Sequence, residues 1–498
     1  MQDFNQKIKQ NALFIFYHKA TVPFINLLIT IYVIKKITVN EYGIYNLLYA
    51  LIGYLSLFSS MGLVNVFQRF VPEYYVKKEY DLLKKVFNSG LLLRFLLTII
   101  AIGIILIFSN SLNKLFQVEN FNEYVEYFFI GIILFLEIQL VEVTLSSLLL
   151  NKFIMVSYLI TTIFRAGLIY FFVENNMGIK GLLIAETISY GLLFLLLLIS
   201  YYAIFASRHK SAKSKIPIKR LLRYGGFSYF DEFGETILDV KTDFFIIAGF
   251  LGPTMVGIYA FANQIIESVT KILPFKFMKS LIRSVFFTKF SENSSIDQLN
   301  LNFNLLVKII AFISLPIFMG VIVFGDKIIL YLFDVKYISA LNLLWVFSGF
   351  MMINSFQFPL QLVVQALERV EITFASKIFS IYNLIGDLLI IQVLGILGVG
   401  LITCSARLFQ NIFIFYRIRK FFPLKIDLQP LLKIGINSML MIVILYFCRN
   451  FVENILTLIL FSTLGLITYL CLSIINRSFF KEERQTINKL LPRPIFVF

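Results

Sequence analysis

The chain has 498 residues, of which 59% are hydrophobic and only 15% charged, with a mean hydropathy of +0.83; soluble domains are roughly 45–50% apolar and 25% charged, so a water-soluble globule is excluded. The formal net charge is +16, yet Lys and Arg stand in short clusters between apolar stretches, which speaks against a nucleic-acid-binding domain and for signals that orient membrane helices. Cys404, Cys448 and Cys471 lie inside apolar segments and His18 and His209 are far apart, so neither a zinc site nor a disulfide framework is expected.

A membrane-spanning helix needs about 20 mostly apolar residues. On that rule about fourteen segments follow in order, near 11–34, 43–66, 86–108, 124–150, 153–173, 180–205, 225–250, 254–275, 301–325, 338–364, 370–392, 396–416, 434–449 and 453–475. No small-residue cleavage site follows the first, which is expected to stay in the membrane. With the N-terminus in the cytoplasm, the inward loops hold Lys77, Lys78, Lys84 and Lys85, a run from Arg208 to Arg223, then Arg417, Arg419, Lys420 and Lys425. Outward loops hold little beyond Lys35, Lys36, Lys114 and Lys180 in the first half. The bias predicts a multi-pass protein with both termini cytoplasmic. The polar stretch 207–223 divides the first twelve spans into an N-lobe, residues 1–206, and a C-lobe, residues 224–420, with two further spans and a cytoplasmic tail over 421–498.

The halves share a short repeat. Gly43-Ile44-Tyr45 follows the first span and Gly257-Ile258-Tyr259 follows the seventh, 214 residues apart. Counting 26 residues on from each Gly reaches Arg69 and Arg283, the candidates for an inner gate. Two parallel six-helix repeats, a plan of secondary transporters, are expected.

The stretch IKKITVNEYGIYNLLYALIGYLSLFSSMGLVNVFQRFVPEYY resembles the N-terminal signature of the polysaccharide-biosynthesis flippases, the O-antigen type transporters of the superfamily that also holds the multidrug/toxic-compound exporters. KTDFFIIAGFLGPTMVGIYAFANQI is similar to that family's second-lobe signature, and LFDVKYISALNLLWVF to the segment leading into the tenth helix. The resemblance implies an all-α fold of about fourteen transmembrane helices, two six-helix lobes around a central cavity plus two C-terminal helices. It also implies carriage of an undecaprenyl-diphosphate-linked oligosaccharide, of the O-antigen or capsule type, across the bacterial inner membrane. No nucleic acid, metal or cofactor is expected. The expected partners are the lipid-linked substrate, membrane lipids and a polysaccharide polymerase or chain-length protein, with the chain itself a monomer.

Charge inside a bilayer costs roughly 2.5–3.5 kcal/mol on insertion scales, so such residues face a cavity or one another. Lys19, Arg165 and Arg407 lie near the middle of their spans; Arg94, Lys308 and Lys377 lie nearer the inner ends. One reading is a cationic passage that pairs with a diphosphate; the alternatives are snorkelling and helix-to-helix pairing with Glu137, Glu142 or Glu186. On the seventh span Asp231, Glu232, Glu235, Asp239 and Asp243 fall within an arc of about 120°. That acidic face is either a proton or sodium coupling site, together with Glu267, or a set of structural partners. Pro23, Pro316 and Pro359 interrupt spans one, nine and ten and are candidate hinges.

No GxxxxGK[ST] loop is present, so no ATP hydrolysis by that route is expected, and no enzymatic activity. The rivals are a drug or cation antiporter of the same superfamily, for which twelve spans is the usual count, and a membrane polysaccharide polymerase, which needs larger loops than these.

Overall fold

The computed structural model describes residues 21–208, 216–237, 240–272, 296–367 and 369–490. Where they are described, all fourteen expected positions are occupied by helices, and no strand occurs among the described residues. Lys19, Asp239 and Arg283 lie outside the described residues, as do the side chains of Asp231 and Glu235. Among the described residues nine helices are long and apolar enough to cross a membrane. Their exposed faces are apolar: the helices Tyr80–Ile107 and Ile455–Asn476 are each only 22% buried over their apolar windows. Surface of that kind is stable against lipid and not against water, which makes the protein a multi-pass membrane protein.

The chain divides between Ala260 and Phe261 into two compact units. The first holds α1 (21–36), α2 (Val39–Ser60), α3 (Leu63–Val76), α4 (Tyr80–Ile107), α5 (Ser109–Phe116), α6 (Phe121–Ser147), α7 (Asn151–Glu174), α8 (Gly178–Ile204), α9 (Ile218–Ile237) and α10 (Val240–Leu251), and the first turns of α11 (Pro253–Ile272). Thr38 starts α2 with a capping box, its hydroxyl accepting from the Glu41 N–H at 3.2 Å while the Glu41 carboxylate accepts from the Thr38 N–H at 2.9 Å. The expected second span ends at Ser60, because Met61 (φ 41°) and Gly62 (φ 77°) take left-handed backbone and turn the chain into α3. In this unit α8 packs on α6 and α7, and α3 packs on α6 around Phe67, Phe70, Phe87, Leu145 and Tyr201.

The second unit holds the rest of α11, then α12 (Ile296–Leu332), α13 (Leu341–Ser355), α14 (Gln357–Ala366), α15 (Val370–Ala375), α16 (Ile378–Arg419), α17 (Leu428–Cys448), α18 (Ile455–Asn476) and α19 (Lys481–Leu490). Pro316 sits inside α12 and Pro359 in the first turn of α14. The run labelled α16 is two crossing arms. Gly395 has non-helical backbone (φ 56°, ψ −144°), and the Tyr382 and Ser405 hydroxyls, 23 residues apart, meet at 3.2 Å; a straight helix would hold them about 35 Å apart. The thirteenth span, expected to be short, is a full 21-residue helix, α17. It packs with α12 and α18 over Phe312, Phe324, Ile434 and Tyr469.

Candidate functional site

In the first unit a partly buried arginine and a fully buried glutamate of the spans are tied into one hydrogen-bonded network. Arg165 on α7 pairs with Glu186 on α8 at 2.9 Å and donates to Asn26 Oδ1 on α1 at 3.2 Å. The Tyr45 hydroxyl donates to the same Glu186 Oε1 at 2.9 Å, and beside it the Tyr49 and Tyr190 hydroxyls meet at 2.7 Å. Three spans and α1 are therefore tied through one ion pair, whose charges largely cancel. This is the helix-to-helix pairing with Glu186 that the sequence left as an alternative.

Arg94 on α4 is different. It is fully buried, and its Nη2 donates to Ser56 Oγ on α2 at 3.1 Å and Gln139 Oε1 on α6 at 2.7 Å, both neutral partners. Its Nε and Nη1 are buried and donate no hydrogen bond among the described residues. Glu137, buried on α6 within electrostatic reach, has both carboxylate oxygens equally without a partner there. Unspent charged donors and acceptors inside a membrane protein are costly, so Arg94 and Glu137 mark an unsatisfied polar point among the described residues of the first unit.

The two repeats meet in this unit. Gly43 and Gly257 are each the fifth residue of their helices, α2 and α11. A Cβ on Gly43 would run into the Pro253 carbonyl, and one on Gly257 into the Val39 carbonyl. Asn40 Nδ2 donates to Thr254 Oγ1 at 3.2 Å across the same 214-residue offset. The contact is reciprocal, as a pseudo-twofold crossing requires, and each glycine is there because the opposing backbone leaves no room for a side chain. The tyrosines that follow hold buried carboxylates: Tyr45 holds Glu186, and the Tyr259 hydroxyl donates to Asp243 Oδ2 at 2.6 Å. Asp243 is fully buried on α10. On the neighbouring stretch of α9 and α10, Asn65 donates to Glu232 at 2.6 Å and Tyr54 meets Thr242 at 2.6 Å. Glu267, by contrast, is half exposed and paired along its own helix with Lys271 at 2.8 Å. Arg69 is exposed and bonded to Glu73 one turn on, at 3.1 Å.

Lys308, Lys377 and Arg407 belong to the second unit. Lys308 is buried, its ammonium 2.7 Å from Glu483 in the C-terminal helix α19, 3.7 Å from Asp427 and over the Phe480 ring at 4.4 Å. Lys377 caps the start of α16 and Arg407 lies on its second arm, both half-buried. A polar cluster that sequence reasoning missed sits on α16. Asp387 and Asn383 are fully buried one turn apart, Asn383 Nδ2 donating to Asp387 Oδ2 at 3.2 Å. Asn383 Oδ1 accepts no hydrogen bond among the described residues. Thr403 is buried on the facing arm, where Gly386 packs against Ile402. The signal was there to find: an Asn and an Asp at i, i+4 in an apolar run share one helix face. Among the described residues no three His, Cys, Asp or Glu side chains converge as metal ligands.

No curated protein matches the chain in sequence. Among solved structures the fold is similar to "Lipid II flippase MurJ, inward closed conformation", at 16% identity and a TM-score of 0.68, covering 96% of this chain and 99% of that one. It is also similar to an inward-facing multidrug resistance MATE family transporter of the MOP superfamily, at 17% identity and a TM-score of 0.61, covering 82% of this chain and 98% of that one. A MATE structure in complex with MaD3S matches at 17% identity with a TM-score of 0.56, covering 83% and 95%. These likenesses establish a shared all-helical fold. The sequence profile of the family described as "Polysaccharide biosynthesis protein" matches residues 36–342, well over half of the chain, and the chain belongs to that family.

Proposed function

We propose that the protein is a flippase that carries an undecaprenyl-diphosphate-linked oligosaccharide, an O-antigen or capsule-type repeat unit, across the bacterial inner membrane by alternating access of its two repeats. In this reading residues 1–206 and 224–420 are the two lobes, 207–223 is the cytoplasmic hinge, and both termini are cytoplasmic. The observation that carries it is Arg94: a buried guanidinium inside a membrane span, hydrogen-bonded only to neutral partners although Glu137 lies within electrostatic reach, with donors to spare for a diphosphate oxygen. Arg165 and Lys308 contribute less net charge to such a passage than sequence alone suggests, because each already has a carboxylate. The family match and the likeness to a lipid II flippase over 96% of the chain support the substrate class. Ion coupling falls to Asp243 in the first unit and, in the second, to Asp387 with Asn383 and Thr403, whose oxygens suit a proton or a small hard cation.

A drug or cation antiporter is the second reading, favoured by the MATE likeness. That likeness covers 82% of the chain against 96% for the lipid II flippase, and α17 and α18 are two full spans after the twelve that are usual in an antiporter, which favours the lipid carrier. The test is deletion of the gene in a strain with no redundant carrier. Lipid-linked repeat units should accumulate on the cytoplasmic leaflet, with rescue by the wild type and not by Arg94→Gln at equal abundance. Normal surface export in the deletion strain would refute the assignment.

A further inference from the structure

Away from the buried networks, a cleft of about 900 Å³ opens between α3 and the start of α9. Four cations line it: Arg69, Lys219, Arg220 and Arg223. We propose that this cleft is a docking site for the phosphate of a membrane lipid headgroup, in the leaflet that faces the hinge.

Two of the four, Arg69 and Arg220, are held in place. Glu73 accepts a bidentate pair from Arg220, Nη1 to Oε1 and Nη2 to Oε2, each at 3.0 Å, and is also paired with Arg69 at 3.1 Å and Lys77 at 2.8 Å. Both guanidiniums lie over the ring of Phe70, Arg69 at 5.6 Å and Arg220 at 4.7 Å. Phe70 is itself buried, with Tyr224 edge-on at 5.4 Å. A planar guanidinium fixed by a carboxylate and an aromatic face loses little freedom when an anion arrives. Among the described residues two carboxylates, Glu73 and the more distant Glu79, act on four lining cations and Lys77, so the cleft keeps a net positive charge. Lys219 and Arg223 are exposed beside it.

The shared chemistry is a phosphate ester or diphosphate, which Arg recognises bidentately. Either a lipid or a soluble phosphate would supply it. The surroundings favour the lipid: Ile218, Leu222, Tyr75 and Val76 are exposed apolar side chains next to the cations, the amphiphilic pairing of a headgroup with the first methylenes of its chains. The assignment of that leaflet to the cytoplasm rests on the topology proposed above; the binding itself does not.

Hydrogen exchange of residues 69–77 and 218–228 in the full-length protein tests this, in phosphatidylcholine nanodiscs with or without phosphatidic acid. Phosphatidic acid should slow exchange there roughly tenfold, the effect of about 1.4 kcal/mol. Lys219→Gln/Arg223→Gln, which leaves the Glu73 pairs intact, should remove most of the protection, and Lys114→Gln, far along the chain, none of it. A second arm adds inorganic pyrophosphate to plain phosphatidylcholine discs. Equal protection by pyrophosphate would overturn the lipid assignment in favour of a soluble anion. No protection by phosphatidic acid, or wild-type protection in the double variant, would overturn the site. Since the readout is binding, failure of the transport reading leaves it unaffected.

Discussion

Gly43→Ala is the sharpest perturbation of the contact between the repeats. The added methyl would lie 2.7 Å from the Pro253 carbonyl carbon and 3.0 Å from the Gly257 nitrogen, where ordinary contact begins at 3.4 Å. The Pro253 carbonyl oxygen stands closer still. All these obstacles are backbone, so no rotamer change relieves them, and α2 and α11 must part by more than the roughly 0.7 Å that the carbonyl carbon alone demands. That stretches the Asn40 to Thr254 hydrogen bond from 3.2 Å past useful length. Overpacking of this kind costs about 1–3 kcal/mol, or about five- to 140-fold in the population of the closed contact. The assay is disulfide formation in Asn40→Cys/Thr254→Cys, with Cys404, Cys448 and Cys471 replaced by Ser. Gly43→Ala should slow cross-linking by that factor, and Gly257→Ala should match it because its methyl meets Val39. Gly435→Ala, with open space at its Cβ, should change nothing. Wild-type cross-linking rates in both contact variants would refute the reciprocal glycine contact.

Arg165→Ala strands Glu186 in the protein interior and should lower stability by about 3–5 kcal/mol, seen as lost abundance and a lower detergent melting temperature; Arg165→Ala/Glu186→Gln should recover most of both. Glu483→Lys should free α19 by repelling Lys308, raising its protease sensitivity, and Lys308→Glu in the same chain should restore protection. Glu73 is held at about 2, against an ordinary 4.5, chiefly by its hydrogen bonds from Arg220 and then Lys77. A depressed carboxyl stabilises fully above its unfolded value, so the advantage of wild type over Glu73→Gln in melting temperature should hold from neutral pH to about 4.5 and shrink as pH falls towards 2. A gap that widens on acidification would contradict the pairing.

The span positions were legible because membrane insertion is written locally, in about 20 apolar residues at a time. The repeat was legible for a related reason: Gly43 and Gly257 are required by a backbone approach that admits no other residue. Pairing was harder. Glu186 was a named candidate for Arg165, but its hold on Tyr45 needed the packing of α2 on α8. Lys308 looked like a cavity cation because its partner, Glu483, is 175 residues away in a polar tail. Asp387 was passed over because a single Asp hardly lowers the hydropathy of α16, and the reversal at Gly395 that sets Thr403 on the facing arm is a matter of φ and ψ. On the acidic face from Asp231 to Asp243, the two described carboxylates have partners that lie far off in sequence or on the next helix: Asn65 for Glu232 and Tyr259 for Asp243.

Reconstitution asks most directly whether buried charge serves the passage of a diphosphate lipid. Purified protein would be placed in liposomes loaded on one leaflet with undecaprenyl-diphosphate oligosaccharide, and the fraction reaching the other leaflet followed with a membrane-impermeant glycosidase. The account predicts protein-dependent transfer that stops in the oxidised Asn40→Cys/Thr254→Cys variant, returns on reduction, and is lost in Arg94→Gln. Transfer equal to that of protein-free liposomes, or transfer indifferent to the cross-link, would contradict it.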